Sequence, residues 1–172
     1  DDNLLVRSDG AWLEQQVGVH TTLVAALPGE ATDVLLAARD GRLFRGAAPD
    51  LYLIWLPPII DPYAQQPVVL AAAGTPTGAT IVGEDGLIRK LVVHAGDPLV
   101  TLEKSAITAH LRGVCHGPLG RVIVGDAGAL QVNVGGPWTK IPSGTNADLR
   151  SVVCTPTGAV AVGNNGAVVT VS

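Results

Sequence analysis

At 172 residues the chain is long enough for one domain that buries roughly two thirds of its unfolded surface. Its formal net charge of −4, with Arg and Lys scattered singly, leaves no basic stripe to neutralise a phosphate backbone, so nucleic acid is excluded as a partner. The longest apolar run, residues 51–60, is about half a membrane span and contains Pro57 and Pro58, so no transmembrane helix is read.

The predicted elements form a series of echoes. The opening stretch DDNLLVRSDGAW gives a leading strand at 4–8 and a second strand from Trp12 to Val17. An apolar run, Leu23 to Leu27, then enters the divergent phrase PGEATDVLLAARDG at 28–41, and Leu43 to Arg45 leaves it. The proline-rich segment LYLIWLPPIIDPYAQQP occupies 51–67. Beyond it the phrase is written three times more clearly, as TPTGATIVGEDG at 75–86, GPLGRVIVGDAG at 117–128 and TPTGAVAVGNNG at 155–166. Its first glycines, Gly78, Gly120 and Gly158, stand 42 and 38 residues apart. Gly83, Gly125 and Gly163 repeat those intervals, as do Gly86, Gly128 and Gly166, so length changes fall outside the phrase.

Each copy is a pair of turns between strands. Apolar runs precede the first turn (Val68 to Ala73, Leu111 to Cys115, Leu149 to Cys154) and a β-branched run such as Ala79 to Val82 follows it. Proline sets φ at that turn, and Asp-Gly or Asn-Gly at the second is a strong hairpin signal. Third strands follow at Leu87 to Val93, Ala129 to Val134 and Ala167 to Val171. A fourth is expected where Trp12, Trp55 and Trp138 recur, with Leu99 to Lys104 filling the place that lacks a Trp. Strands this continuously apolar need cover on both faces, and sheets stacked about an axis supply it. The expected fold is all-β, a β-propeller of four-stranded antiparallel repeats of about 40 residues, four units plus a leading strand. The repeats are expected at 18–56, 57–104, 105–142 and 143–172, with 1–17 completing a neighbouring blade. The strand count comes to seventeen. A four-bladed ring closed by the strand from Trp12 to Val17 would leave one strand over, which favours a partial ring.

The motifs SDGAW (Ser8 to Trp12) and VGGPWTKIPSGTNADLRSVVCTPTGAVAVGNNGAVVTVS (Val134 to Ser172) resemble the repeats of photosystem II assembly-factor-like propellers, which are similar to the Asp-box repeats of sialidases. The resemblance spans nearly the whole chain, but its motifs are structural and imply fold rather than activity. Two departures stand out: no Thr precedes Trp12 in the Asp-box position, and residues 45–67 carry the proline-rich expansion. Sialidases need an arginine triad, and although Arg112 and Arg150 occupy equivalent places, the second copy has Leu70 there. No Arg-Ile-Pro occurs; the nearest text is Lys140-Ile141-Pro142. The chain is therefore read as non-catalytic, without cofactor or metal. Glu84-Asp85 belongs to turn chemistry, and Cys115 and His116 point to opposite faces of a strand, which weakens a metal set with His94 and His110.

What remains is recognition of another protein, or of a second copy, by exposed loops. The candidate interface residues are Tyr52, Trp55, Ile59, Ile60 and Tyr63 in the proline-rich segment, where stiff aromatics anchor at small entropic cost, and Arg112 and Arg150 at the axis end. For Trp55, packing between blades is the first expectation. A carbohydrate-binding propeller and a structural subunit of a larger complex are the alternatives. Cys115 and Cys154 are read first as buried thiols; a bridge between neighbouring units would require Cα atoms within about 7 Å. Met is absent and the chain begins Asp1-Asp2-Asn3, from which we expect a processed or excised segment and, with the resemblance, an exported protein, periplasmic or extracellular.

Overall fold

The computed structural model describes residues 3–8, 11–16, 22–28, 34–46, 51–55, 57, 66–75, 78–94 and 97–172. Seventeen strands lie within them, in five antiparallel sheets. β1 (Asn3–Ser8) and β2 (Ala11–Gln16) form a hairpin. The first four-stranded sheet is β3 (Leu23–Pro28), β4 (Val34–Ala38), β5 (Leu43–Gly46) and β6 (Tyr52–Trp55). The second is β7 (Val69–Thr75), β8 (Gly78–Gly83), β9 (Ile88–His94) and β10 (Asp97–Leu102). The third is β11 (Leu111–Gly117), β12 (Gly120–Gly125), β13 (Leu130–Asn133) and β14 (Thr139–Lys140). The last has three strands, β15 (Leu149–Thr155), β16 (Gly158–Gly163) and β17 (Val168–Val171).

Each sheet pairs consecutive strands, as short turns dictate. The second turn of each copy is one 3-10 turn: Glu84–Gly86, Asp126–Gly128 and Asn164–Gly166. Its middle residue is left-handed, with φ of 53° at Asp85, 54° at Ala127 and 56° at Asn165. Asp and Asn tolerate that region because a short polar side chain can bond locally; Ala127 is the exception. The first residue of the turn is tied to the residue just before the first strand of its blade, Glu84 N–H to Val68 O (2.9 Å), Asp126 N–H to His110 O (3.0 Å) and Asn164 N–H to Asp148 O (2.8 Å).

The first strands β3, β7, β11 and β15 lie side by side in chain order, so the sheets stack as successive blades. Alternation along each strand sends one set of side chains to the preceding blade and the other to the next. Leu27, Leu35, Ala37 and Leu43 meet Ala79, Ile81 and Leu91 between the first two blades. Val82 and Ile88 meet Val114, Ile123 and Trp138 between the second and third. Val122, Val124 and Leu130 meet Ala159 and Ala161 between the third and last. Burial of these aliphatic faces holds the stack together.

Two expectations change. Cys115 and Cys154 form a disulfide, with Cα atoms 5.6 Å apart, rather than resting as thiols. Cys115 points at the last blade and Cys154 points back, because the two copies place them one residue out of step and thus on opposite faces. As expected, two leading strands are present; they pair as a hairpin, and among the described residues β2 pairs with β1 and not with β17, in keeping with a partial ring. No ring closes through that hairpin. Finally, the first strands are not all covered on both faces: β15 is packed on one side and open on the other. Ile59, Ile60 and Tyr63 lie outside the described residues.

Candidate interface

The register of the last blade sorts its residues cleanly. Val153 pairs with Val160 and Val160 with Thr170; Ser151 pairs with Val162 and Val162 with Val168. These six share one face. The other face, with Val152, Cys154, Ala159, Ala161, Val169 and Val171, packs on the third blade. On the open side Val153 is 59% exposed, Val162 47% and Val168 67%. Their repeat equivalents in the third blade, Cys115, Val124 and Leu130, are 8%, 0% and 1% exposed, because the last blade covers them. One repeat position is thus core in one blade and bare apolar surface in the next. β17 is also an unpaired edge among the described residues.

The arginines at the turn end are set by a feature invisible in the sequence. Each first strand carries a β-bulge at the same place, between Leu23 and Ala25, Val69 and Ala71, Leu111 and Gly113, and Leu149 and Ser151. The extra residue, Val24, Leu70, Arg112 or Arg150, leaves the alternation and is re-aimed. Arg112 thereby forks onto Asp126, through Nε to Oδ1 and Nη2 to Oδ2, the latter 2.7 Å. That hydrogen bonding, ahead of the opposing effect of burial, holds the Asp126 carboxyl below its ordinary value and raises Arg112. Arg150 donates to Asn164 Oδ1 (3.1 Å) and Asp148 Oδ2 (3.0 Å), and its Nη1 lies 3.7 Å from Asp126. Both candidate arginines are therefore engaged with neighbouring acids, and Arg150 links the last two blades.

Tyr52 is 57% exposed at the start of β6, whereas Trp55 is half-buried against the core between the first two blades. The guanidinium of Arg89 stands 5.1 Å from the Trp55 ring centroid, so packing between blades is what Trp55 does here. The structure thus does not gather Tyr52, Trp55, Arg112 and Arg150 into one patch: the arginines occupy the turn end of the last two blades and the aromatics the outer strand of the first.

A polar cluster spans the seam between the second and third blades. Arg121 makes a two-pronged ion pair with Glu103 (2.8 and 2.9 Å), Trp138 Nε1–H donates to the same carboxylate (2.9 Å), and Arg121 stacks 4.9 Å from the Trp138 centroid. Burial by itself would raise Glu103, but the hydrogen bonds from Arg121 and Trp138, with the charges of Arg121 and Lys90, bring it net below its ordinary value. His116 contacts Thr80 Oγ1 (3.0 Å) and is lowered by burial and then by Arg121. A cleft of about 220 Å³ lies over Thr80, Lys90, His116 and Arg121. No group of three or more metal-ligating side chains gathers among the described residues.

No protein-family model and no curated protein matches the chain. Solved structures do. The computationally designed Ika4 protein superposes with a TM-score of 0.68 at 14% identity, over 89% of this chain and 92% of its own. The WD40 β-propeller domain of Doa1 gives 0.72 at 14%, over 99% and 57%, and the β-propeller domain of Myceliophteria thermophila Cps50 (Swd1) gives 0.61 at 14%, over 88% and 50%. The chain has a β-propeller fold. It spans about half the length of those two propeller domains, and the stacked blades form a partial ring. In such a stack the end blade exposes the face that the next one would bury, which is the face bearing Val153, Val162 and Val168. The sequence reading missed these valines, because the repeat gives them the same pattern as their buried equivalents Cys115, Val124 and Leu130. It also passed over Arg89, a charged residue at an inward position of the run from Leu87 to Val93.

Proposed function

We propose that this propeller is a non-catalytic protein-binding or assembly module whose docking face is the open side of the last blade. The observation that carries the reading is the bare valine sheet face, on which the repeat demands a cover. Exposed apolar surface of this kind marks an interaction site, and the exposed edge of β17 can extend pairing to an incoming strand. The partner should present a sheet face of small and branched aliphatic residues like the one that Ala79, Ile81 and Leu91 offer to the first blade. The finer kinship with photosystem II assembly-factor-like propellers rests on the wording of the repeats, Gly135-Gly136-Pro137-Trp138 above all. An exported location is supported by the disulfide, since such bonds persist in oxidising compartments.

Light scattering across a hundredfold range of concentration, with binding of a hydrophobic dye, tests this. The wild type should bind dye or rise above 17.6 kDa, and V153T/V162T/V168T should lose both properties while keeping its β-sheet spectrum. A wild type that stays a dye-silent 17.6 kDa monomer throughout would refute the docking face.

A further inference from the structure

Arg89 sits on β9 between Ile88 and the inward-facing Leu91, both 1% exposed, and is itself only 6% exposed. Its guanidinium lies over Trp55 of the preceding blade. Nη1 is sealed from solvent and has no hydrogen-bond partner among the described residues. A Cβ placed on Gly41 would stand 2.5 Å from that nitrogen and 3.6 Å from Pro57 Cγ, so the head group is wedged beneath the turn at 40–42. The acid of that turn is directed elsewhere: Asp40 accepts from Arg42 Nε (2.8 Å) and Arg42 N–H (3.1 Å). Burial lowers the Arg89 pKa, yet a guanidinium keeps its proton at any working pH. A buried cation without an acceptor is costly, and the molecule shows at the next seam how such a group is satisfied. There Arg121 also stacks on a tryptophan, Trp138, but Glu103 completes the set with a two-pronged ion pair. At the first seam the arginine and the tryptophan are present, and among the described residues no carboxylate joins them.

We propose that the seam between the first and second four-stranded blades is a carboxylate-binding site, in which a carboxylate beside Trp55 accepts hydrogen bonds from Arg89 as Glu103 does from Arg121. Two parallel N–H···O bonds from a planar fork suit a carboxylate better than a spherical halide, which sets the expected selectivity. The site is independent of the valine face, on a different blade. The carboxylate comes either from a small organic acid or from an acidic side chain of a docked protein.

Thermal unfolding in sodium acetate, against sodium chloride at equal ionic strength, tests the site. Acetate should raise the wild-type Tm saturably, by about 3–5 °C for a ligand tenfold above its Kd, and change tryptophan fluorescence. Both effects should vanish in R89Q and largely in R89K, which keeps the charge but loses the fork and guards against a folding defect. In chloride alone R89Q should melt no lower than the wild type, because it removes an unpaired buried charge. A blocked oligoglutamate peptide acting at far lower carboxylate concentration than acetate would assign the source to a partner's side chain; acetate acting equally well would assign a small acid. An equal acetate response in R89Q, or none in the wild type, would overturn the proposal. So would a clear loss of stability in R89Q in chloride alone, since Arg89 would then have a partner within the chain.

Discussion

The bridge between Cys115 and Cys154 fastens the blade that has least else to hold it. The last blade has three strands and packs on one face only, whereas the second and third blades are gripped from both sides. Replacing both cysteines by alanine removes a cross-link over a sequence separation of 39, and small apolar side chains suit a site where Cys115 is 8% exposed. The loop-closure model gives about 4 kcal/mol for a loop of that size, an upper figure because it ignores residual structure in the unfolded chain. For a chain of this length that corresponds to a fall in Tm of about 8–16 °C. The loss should also be local. Hydrogen exchange of the wild type and C115A/C154A should show protection falling first in β15 to β17, while β7 to β9 keep theirs. A companion variant acts through geometry: a Cβ on Gly117 would lie 2.6 Å from Cys154 Cβ and 3.0 Å from its Sγ, so G117A should push the strands apart and leave thiols that a colorimetric reagent can titrate. If C115A/C154A melts within about 2 °C of the wild type and exchange at β15 to β17 is unchanged, the bridge does not hold the last blade and the reasoning fails.

Three further outcomes follow from the same geometry. Ala127 occupies the left-handed position that Asp85 and Asn165 fill in the sister turns, so A127N should raise Tm by about 2–4 °C in a calorimetric scan, and a fall would refute the account of the turn. A Cβ on Gly125 would stand 2.1 Å from the His110 carbonyl oxygen, so G125A should cost about 3 kcal/mol in urea unfolding, while G136A, with open space around it, serves as a neutral control. His116 lies below its ordinary value of 6.5 when folded, so the unfolded chain binds a proton that the folded chain does not. Its contribution to stability is complete above pH 6.5 and is lost as pH falls through the folded value. Urea midpoints should therefore decline on acidification from about pH 7 to about pH 5 more steeply in the wild type than in H116Q, and parallel declines would exclude His116 as the cause.

The repeat by itself determined the blade. Glycine, proline and Asn/Asp-Gly sit where the backbone needs tight reversals, and alternating aliphatics mark the strands, so seventeen strands and their meander order could be read from residues such as Gly78, Gly83 and Gly86 and their copies. These are local requirements, satisfied within a few residues of the chain. The site was less legible because its physics is not local. Whether Val153 is core or surface depends on whether another sheet lies against it, and its equivalent Cys115 shows that the same repeat position can be either. Arg112 and Arg150 reach their acids only because a bulge re-aims them, and a bulge is a property of paired strands rather than of one strand. Cys115 and Cys154 bond because two copies out of step by one residue put their sulfurs on facing surfaces, a relation that exists only once the blades are stacked. Arg89 reads as an ordinary charge in a strand until the turn at Gly41 and the ring of Trp55 close around it and exclude water.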